Sequence, residues 1–439
     1  MRRQFGLLSI FPPTHLHLHT KPAIFPTIPA IFSHQNPLKS TVLSLHYRRT
    51  SKSISFSSFP PITVQSKEEE KSFIAVNFYV FVSIEDPQHL VSTHLSFLQG
   101  FDIHGRIYVN EQGINAQYSG PSVDALAYLE WIKQDRRFSD ILAQISPARN
   151  GHSFPRLKLR YKPSLVQLEG GISHLPLLDP AMRATSLTPS EWKNRLQVVN
   201  NVDGSSSHDH NQKVVLLDVR NGYEWDIGHF RGAQRPEVDC FRSTSFGLSE
   251  SEPATSDPLA HIDKENTDIL MYCTGGIRCD IYSSILRQKG FQNLFTLKGG
   301  VSHYLQKEGP FAWVGNLFVF DSRLSLPPST YNPNTTINGE NTRLLPEFNS
   351  STFARCYICQ SHLSELKHRN CANIDCNRLF LCCSKCQMDV RGCCCLDCTK
   401  ARRLRPIQPT QDRYEKWHIY RDHNIQKESD QSSMEHSQV

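Results

Sequence analysis

The sequence predicts a multidomain protein combining α+β and α/β architecture: an α+β unit, then an α/β unit, then a small cysteine-rich segment. Three observations predict it. Between residues 72 and 170 the strand and helix patterns run β-α-β-β-α-β. Farther on, continuous apolar runs of parallel-strand type appear at 214–217 and 269–272, and the second ends in Cys273 and a glycine pair. Finally, 11 of the 14 cysteines lie between positions 356 and 398. A chain of 439 residues is long enough for about three domains, in agreement.

Ahead of these units, residues 1–66 hold ten serines, seven Lys or Arg and no acid; the first acid is Glu68. That composition is expected of a disordered organelle transit peptide, and its serine content favours chloroplast over mitochondrion. No compact apolar stretch with a small-residue cleavage site points to secretion. The formal charge of +6 resides in this leader, since the remainder carries 41 basic against 42 acidic residues. Global charge therefore names no partner. No uninterrupted apolar run approaches ~18 residues, so no membrane partner is expected. Cysteines crowded into one short block are not the pattern of a disulfide-stapled secreted protein.

Within 72–170 the expected elements are a strand at 74–82, a helix at 87–98, strands on either side of a turn at 111–113, a helix at 122–133 and a strand at 156–161. This order is that of a ferredoxin-like domain. In the last strand Arg156, Lys158, Arg160 and Lys162 alternate with Leu157, Leu159 and Tyr161, so four cations share one face. Such a stripe suits RNA binding, and equally a solvated outer face.

A Pro- and Gly-containing linker, 170–183, leads to the α/β unit, 184–325. Thr188-Pro189-Ser190-Glu191 is a capping box that starts a helix carrying Trp192, Leu196 and Val199. Polar inserts are expected at 202–212 and 243–265. Between them lie the apolar strand ending in Asp218-Val219-Arg220 and the stretch from Glu224 through His229 to Ala233. Asp218, Arg220 and His229 are expected to pair structurally around the base of the later loop, because buried charges need partners. In that loop, Cys273 stands between a strand end and a helix whose apolar spacing is Ile277, Ile281, Ile285. Thr274, Gly275, Gly276 and Ile277 offer backbone N–H groups that would cradle an anion. With the helix N-terminus and the Arg278 charge, they would lower the Cys273 thiol pKa and make it nucleophilic. Cys279, one turn into the helix, would either resolve a Cys273 intermediate or simply pack.

The cysteine-rich segment, 353–400, contains the pairs Cys356/Cys359, Cys371/Cys376, Cys383/Cys386 and Cys395/Cys398, enough to close two tetrahedral zinc sites. Cys382, Cys393 and Cys394 leave the ligand assignment open, and an iron–sulfur cluster is the lesser alternative. Residues 401–439 are expected to be a basic, mostly disordered tail whose Tyr414 and Trp417 suit RNA contact or plain solvation.

From Thr188 to about Phe320 these features resemble a rhodanese domain. The loop Cys273-Thr-Gly-Gly-Ile-Arg278 has the rhodanese length of six residues; the related phosphatase loops are one residue longer. The fold implied is a doubly wound parallel sheet with the loop at the carboxyl ends of its strands. Residues 73–405 as a whole resemble the bacterial tRNA wobble-uridine hydroxylases, which join a ferredoxin-like domain, a rhodanese domain and a cysteine-rich tail. The motifs carrying this likeness are Gly105-Arg-Ile with Glu111-x-Gly-Ile-Asn115, Arg156-Leu-Lys-Leu-Arg160, the Cys273 loop, Phe318-Val-Phe-Asp-Ser-Arg323 and Gly392-Cys-Cys. The resemblance implies an oxidoreductase that makes 5-hydroxyuridine in tRNA with molecular oxygen as co-substrate and Cys273 as the essential cysteine. The loop alone would equally serve a sulfurtransferase carrying a persulfide on Cys273 from a donor such as thiosulfate. No organic cofactor is evident. Import should remove the leader, so protein recovered from chloroplasts is expected to begin well downstream of Met1; an N-terminal sequence starting at Met1 would exclude import.

Overall fold

The computed structural model describes residues 72–168, 170–200, 213–235, 241, 258–259, 262–333 and 353–407. The leader, both polar inserts over most of their length, and the basic tail beyond 407 fall outside the described residues.

The N-terminal unit opens with β1 (Phe73–Phe81), α1 (Pro87–Phe97), β2 (His104–Asn110), β3 (Gly113–Pro121), α2 (Ser122–Lys133) and β4 (Gln144–Pro147), and β5 (Leu157–Tyr161) follows. The α1 start is fixed by Pro87 at its first position and by the Asp86 carboxylate, which accepts the His89 N–H at 2.8 Å. The sheet order is β4-β1-β3-β2-β5. One expectation is corrected here: the strand that closes the ferredoxin-like unit is β4, paired with β1, whereas the predicted final strand is β5, a fifth strand added parallel to β2 at the far edge.

Alternation sorts this sheet into two unlike faces. Val76, Phe78, Ile107, Val109, Ile114, Ala116 and Tyr118 form one buried core with Leu90 of α1 and Tyr128, Leu129 and Ile132 of α2. The intervening positions point the other way and include the polar Asn77, Arg106, Asn115 and Gln117, with Phe81 and Tyr108 among them. Register places Gln144 opposite Asn77, Asn77 opposite Gln117, Gln117 opposite Arg106 and Arg106 opposite Lys158, so one polar row crosses all five strands.

In the second unit come β6 (Thr185–Leu187), α3 (Pro189–Asn200), β7 (Lys213–Asp218), α4 (Gly222–Trp225), β8 (Gly228–Phe230), β9 (Thr267–Tyr272), α5 (Ile277–Gln288), β10 (Leu294–Leu297) and α6 (Gly300–Glu308). The expected capping box forms: the Thr188 N–H donates to Glu191 Oε2 at 2.8 Å and the Glu191 N–H to Thr188 Oγ1 at 3.4 Å. Strands β6-β10-β9-β7 make an all-parallel sheet. Val215, Leu217, Ile269 and Met271 pack with Ile281, Tyr282 and Leu286 of α5. Leu216, Leu270 and Tyr272 pack on the opposite face with Trp192 and Leu196 of α3 and Val301, Tyr304 and Leu305 of α6. Both faces being covered, the sheet is doubly wound, and β9 delivers Cys273 at its carboxyl end. The sequence predicts only a turn at Gly299 and Gly300, where α6 begins.

Short strands β11 (Trp313–Gly315), paired with β8, and β12 (Leu317–Phe318), paired with β13 (Ser325–Leu326), lead out of this unit. The cysteine-rich segment contains β14 (Arg369–Asn370), β15 (Leu379–Phe380) and α7 (Ser384–Asp389). Its core is mostly sulfur, with Cys356, Cys371, Cys382, Cys386, Cys393 and Cys394 around Phe380, and its Leu381 docks against Ile227, Phe318 and Leu324. No helix among the described residues is long and apolar enough to cross a membrane.

Candidate functional site

Cys273 is fully buried between β9 and α5. Gly276, the residue before α5, has φ +109°, which favours glycine and turns its N–H onto Cys273 Sγ at 3.1 Å. Burial pushes the Cys273 thiol up. The Cys279 thiol hydrogen bond, the Arg278 charge and the Cys279 and Gly276 N–H groups outweigh that, bringing it down to about 5. Cys279 is pushed the other way, by burial and by donating to the Cys273 sulfur. The loop's amide donors therefore converge on its own sulfur.

Arg278 is itself held by an acid that the sequence reading assigned no role. Its Nη1 and Nη2 meet Glu224 Oε2 at 2.5 Å and Oε1 at 2.8 Å, and Thr274 Oγ1 donates to Glu224 Oε1 at 2.9 Å. Glu224 has no exposed surface; burial opposes its charge, and Arg278 overcomes that and lowers its pKa. The capping box Asn221-x-x-Glu224 fixes it at the start of α4 and was the available sequence signal. From the other side, α6 grips the loop: the Val301 N–H donates to Cys273 O at 3.0 Å, and Ser302 donates to Thr274 O through its N–H at 3.1 Å and its hydroxyl at 3.0 Å. Gly300 permits this approach, because a Cβ there would lie 2.5 Å from Cys273 O. Ile277 turns into the apolar core beside β9.

The polar face of the N-terminal sheet covers this loop. A Cβ on Gly275 would come within 2.7 Å of Asn77 Nδ2, and one on Gly276 within 2.7 Å of Tyr79 OH. Asn77 donates to Gln144 at 2.7 Å, and Gln144 Nε2 lies 3.5 Å from Gly275 O. Tyr79 OH donates to Asp280 at 3.0 Å; burial pushes the Asp280 carboxyl up to about 6 against the Arg183 charge. A cavity of about 50 Å³ adjoins Thr274 and Ser302 beneath Asn77, Gln117 and Arg323. A larger one of about 420 Å³ adjoins Gly275, Gly276 and Asp280 beside Arg183 and Lys298. None of these covering residues was expected from sequence, since only long-range packing brings them here.

Asp218 and Arg220 form a buried pair at 2.6 Å, and Arg220 also donates to Gly228 O at 2.6 Å and lies 5.1 Å over the Trp313 ring. His229 donates to Trp225 O at 3.1 Å and stacks on the Trp225 ring; burial lowers its pKa to about 4, so it is a neutral packing group. On β5 and at its two ends, Arg156 and Arg160 are exposed while Lys158 and Lys162 are half-buried. Arg160 and Lys162 flank the Tyr108 ring at 5.7 and 4.6 Å, and Lys162 is lowered by burial and by the Arg160 and Arg106 charges.

Eight cysteines gather into two clusters that could each hold a metal ion: Cys356, Cys359, Cys383 and Cys386 in one, Cys371, Cys376, Cys394 and Cys398 in the other. The pairs interleave along the chain. Cys394, not the expected Cys395, joins the second cluster. After α7 the chain turns through Arg391 and Gly392, both at positive φ, and the Cys394 N–H reaches Cys371 Sγ at 3.4 Å, which leaves Cys395 facing solvent. Cys382 and Cys393 are buried outside both clusters.

Three family models match: the UPF0176 acylphosphatase like domain over residues 73–165, the Rhodanese-like domain over 205–307 and the Rhodanase C-terminal over 314–399. A rhodanese-like domain-containing protein 8, chloroplastic, of Arabidopsis thaliana is 64% identical over 362 residues, 81% of each chain. The chain belongs to the rhodanese-like family. The tRNA uridine(34) hydroxylase of Protochlamydia amoebophila is 36% identical over 80% of this chain and 97% of its own; that of Chlamydia muridarum is 36% identical over 76% and 89%. The chloroplast assignment drawn from the leader agrees with the Arabidopsis relative. For this rhodanese-like protein, the thiolate should be present above about pH 6 and be lost as pH falls through about 5. Thiolate absorbance, taken as the difference between wild type and Cys273→Ser, should titrate there, and Cys279→Ala should move the midpoint upward. An unperturbed midpoint near ~8.5 would contradict the site geometry.

Proposed function

We propose that this protein hydroxylates the wobble uridine of chloroplast tRNA at C5, using molecular oxygen, with Cys273 as the reacting thiolate. The observation that carries this reading is the polar row Gln144–Asn77–Gln117–Arg106–Lys158, which starts at the loop glycine and ends at the basic strand β5. The middle of that row is covered, Arg106 donating to Phe320 O, so with a base at the loop Arg156, Lys158, Arg160 and Lys162 at its far end would hold phosphates of neighbouring nucleotides, and phosphate contacts by Lys and Arg position a nucleic acid. A sulfur carrier for small donors has no use for such a track. The hydrogen-bonded Cys273 and Cys279 thiols suit the electron balance. Uridine, dioxygen and two thiols give 5-hydroxyuridine, water and one disulfide, so the pair would supply two electrons per turnover and need an external dithiol to be reset.

Nucleoside mass spectrometry of chloroplast tRNA tests this. A line lacking the protein should lose 5-hydroxyuridine, wild type should restore it, and Cys273→Ser should fail while remaining folded. Restoration by Cys273→Ser would overturn the reading. Unchanged tRNA together with Cys273-dependent transfer of sulfur from thiosulfate to cyanide would assign the protein to the sulfurtransferases.

The two cysteine clusters fit zinc. A tetrahedron of thiolates about 2.3 Å from zinc has edges of about 3.8 Å. Sulfur pairs in the clusters include Cys359–Cys383 at 3.8 Å, Cys376–Cys394 at 3.7 Å and Cys394–Cys398 at 3.9 Å, whereas a disulfide would be about 2.05 Å. Bound zinc would be structural, tying together a segment whose core is largely sulfur. Elemental analysis should find about two zinc ions per chain; Cys394→Ser should lose one and Cys395→Ser none.

A further inference from the structure

Away from the loop and the cysteine clusters, Asp102, His104 and His152 bring one carboxylate oxygen and two imidazole nitrogens within 4.8 Å of one another. Neither imidazole is free to rotate. His104, the first residue of β2, directs Nδ1 at Phe154 O, 3.0 Å away. His152 directs Nδ1 at Ser119 O, 3.3 Å away. These carbonyls hold each Nδ1 in place, and each ring turns its Nε2 toward Asp102. Both Nε2 atoms face the same oxygen: His152 Nε2 donates to Asp102 Oδ1 at 2.8 Å, and His104 Nε2 lies 4.0 Å from it. The rings stack at 3.7 Å and 15°.

The three groups are held from behind. The Asp102 N–H donates to Asp124 Oδ2 at 3.0 Å, and Gly120 lets the Asp102 carbonyl approach, since a Cβ there would lie 2.4 Å from it. The Ser153 N–H donates to the buried Ser119 hydroxyl at 2.8 Å, fixing the residue after His152, and the Phe73 ring meets the His152 ring edge-on at 5.0 Å. Backbone carbonyls on the far nitrogens are the support that metal-bound histidines use to fix tautomer and ring orientation.

We propose that Asp102, His104 and His152 form a binding site for a first-row divalent transition-metal ion, separate from the cysteine clusters. A cation there would take the place of the proton between His152 Nε2 and Asp102 Oδ1 and gain His104 Nε2 as a third ligand. Two imidazoles and one carboxylate select zinc, cobalt, nickel, copper or iron over magnesium and calcium, which take oxygen ligands. Three protein ligands leave further positions open to water or an oxygen anion.

Cobalt(II) tests this on the full-length protein with its cysteine clusters filled. Wild type should bind one additional cobalt with a ligand-field absorption that lacks a thiolate-to-cobalt charge-transfer band. His104→Ala and His152→Ala should each weaken it roughly tenfold or more, with unchanged circular dichroism. If wild type takes up no additional cobalt, or if uptake shows the thiolate band and ignores both histidine substitutions, Asp102, His104 and His152 are only a hydrogen-bonded surface cluster and the proposal fails.

Discussion

A negatively charged sulfur with no access to water is the constraint on which the centre of this molecule depends. Burial alone would keep Cys273 protonated, so the charge survives only because N–H and S–H donors and one cation face it. That cation creates a second problem, since Arg278 is also buried. Glu224 answers it with two charge-assisted hydrogen bonds, and Glu224 is satisfied in turn by Thr274 and the α4 capping box. Removing one partner from such a chain exposes the next as an uncompensated charge, typically a loss of about 3–5 kcal/mol. The loop is therefore one electrostatic unit with α4, not a cysteine with a helpful neighbour.

Strand alternation supplies the geometry that this unit needs. Ile269 and Met271 point toward α5 and Leu270 and Tyr272 toward α3 and α6, so Cys273 continues the α5 face and meets the donors of that helix. The same period of two, acting in the N-terminal sheet, sends its apolar residues to α1 and α2 and leaves a polar face free for the loop. Gly275 and Gly276 then serve two ends: they let the chain turn, and they let Asn77 and Tyr79 approach where a methyl group would not fit.

Local signals were readable and distant ones were not. The 122–133 helix was foreseen at its observed bounds, because its apolar spacing is uninterrupted; the capping box at Thr188 was equally plain. Strand β4 escaped because four residues ending in Pro147 carry too little pattern, and that omission moved the ferredoxin-like closure onto β5. Helix α6 escaped because two glycines read as a turn, although Gly300 is there to clear Cys273 O. In the cysteine segment a two-residue spacer points to Cys395. The chain instead uses Cys394 and Cys398, whose spacing of four matches one helical turn, and a 3₁₀ turn at Asp397–Lys400 follows the same stretch. Nothing in spacing alone announced that the pairs interleave.

Under the proposed hydroxylation of tRNA, closure over Cys273 also decides how the substrate would enter. With the sulfur fully buried, a base reaches it only if the Asn77, Tyr79 and Gln144 edge parts from the loop. The contacts nearest the loop are polar: Tyr79 to Asp280, Gln144 to Gly275, and farther along Arg323 to Ser146 and Pro147 O at 2.9 Å. Each such hydrogen bond is worth about 0.5–1.5 kcal/mol net, because water replaces it on opening. Parting that edge thus costs on the order of a few kcal/mol. A buried apolar seam of the same size would cost more and would leave surface that water does not satisfy. Phe81 and Tyr108 pack against the rhodanese core, so apolar contact persists beside the edge that must open. In that reading, a polar lid beside an apolar anchor would let the loop be covered between turnovers and uncovered without separating the two units.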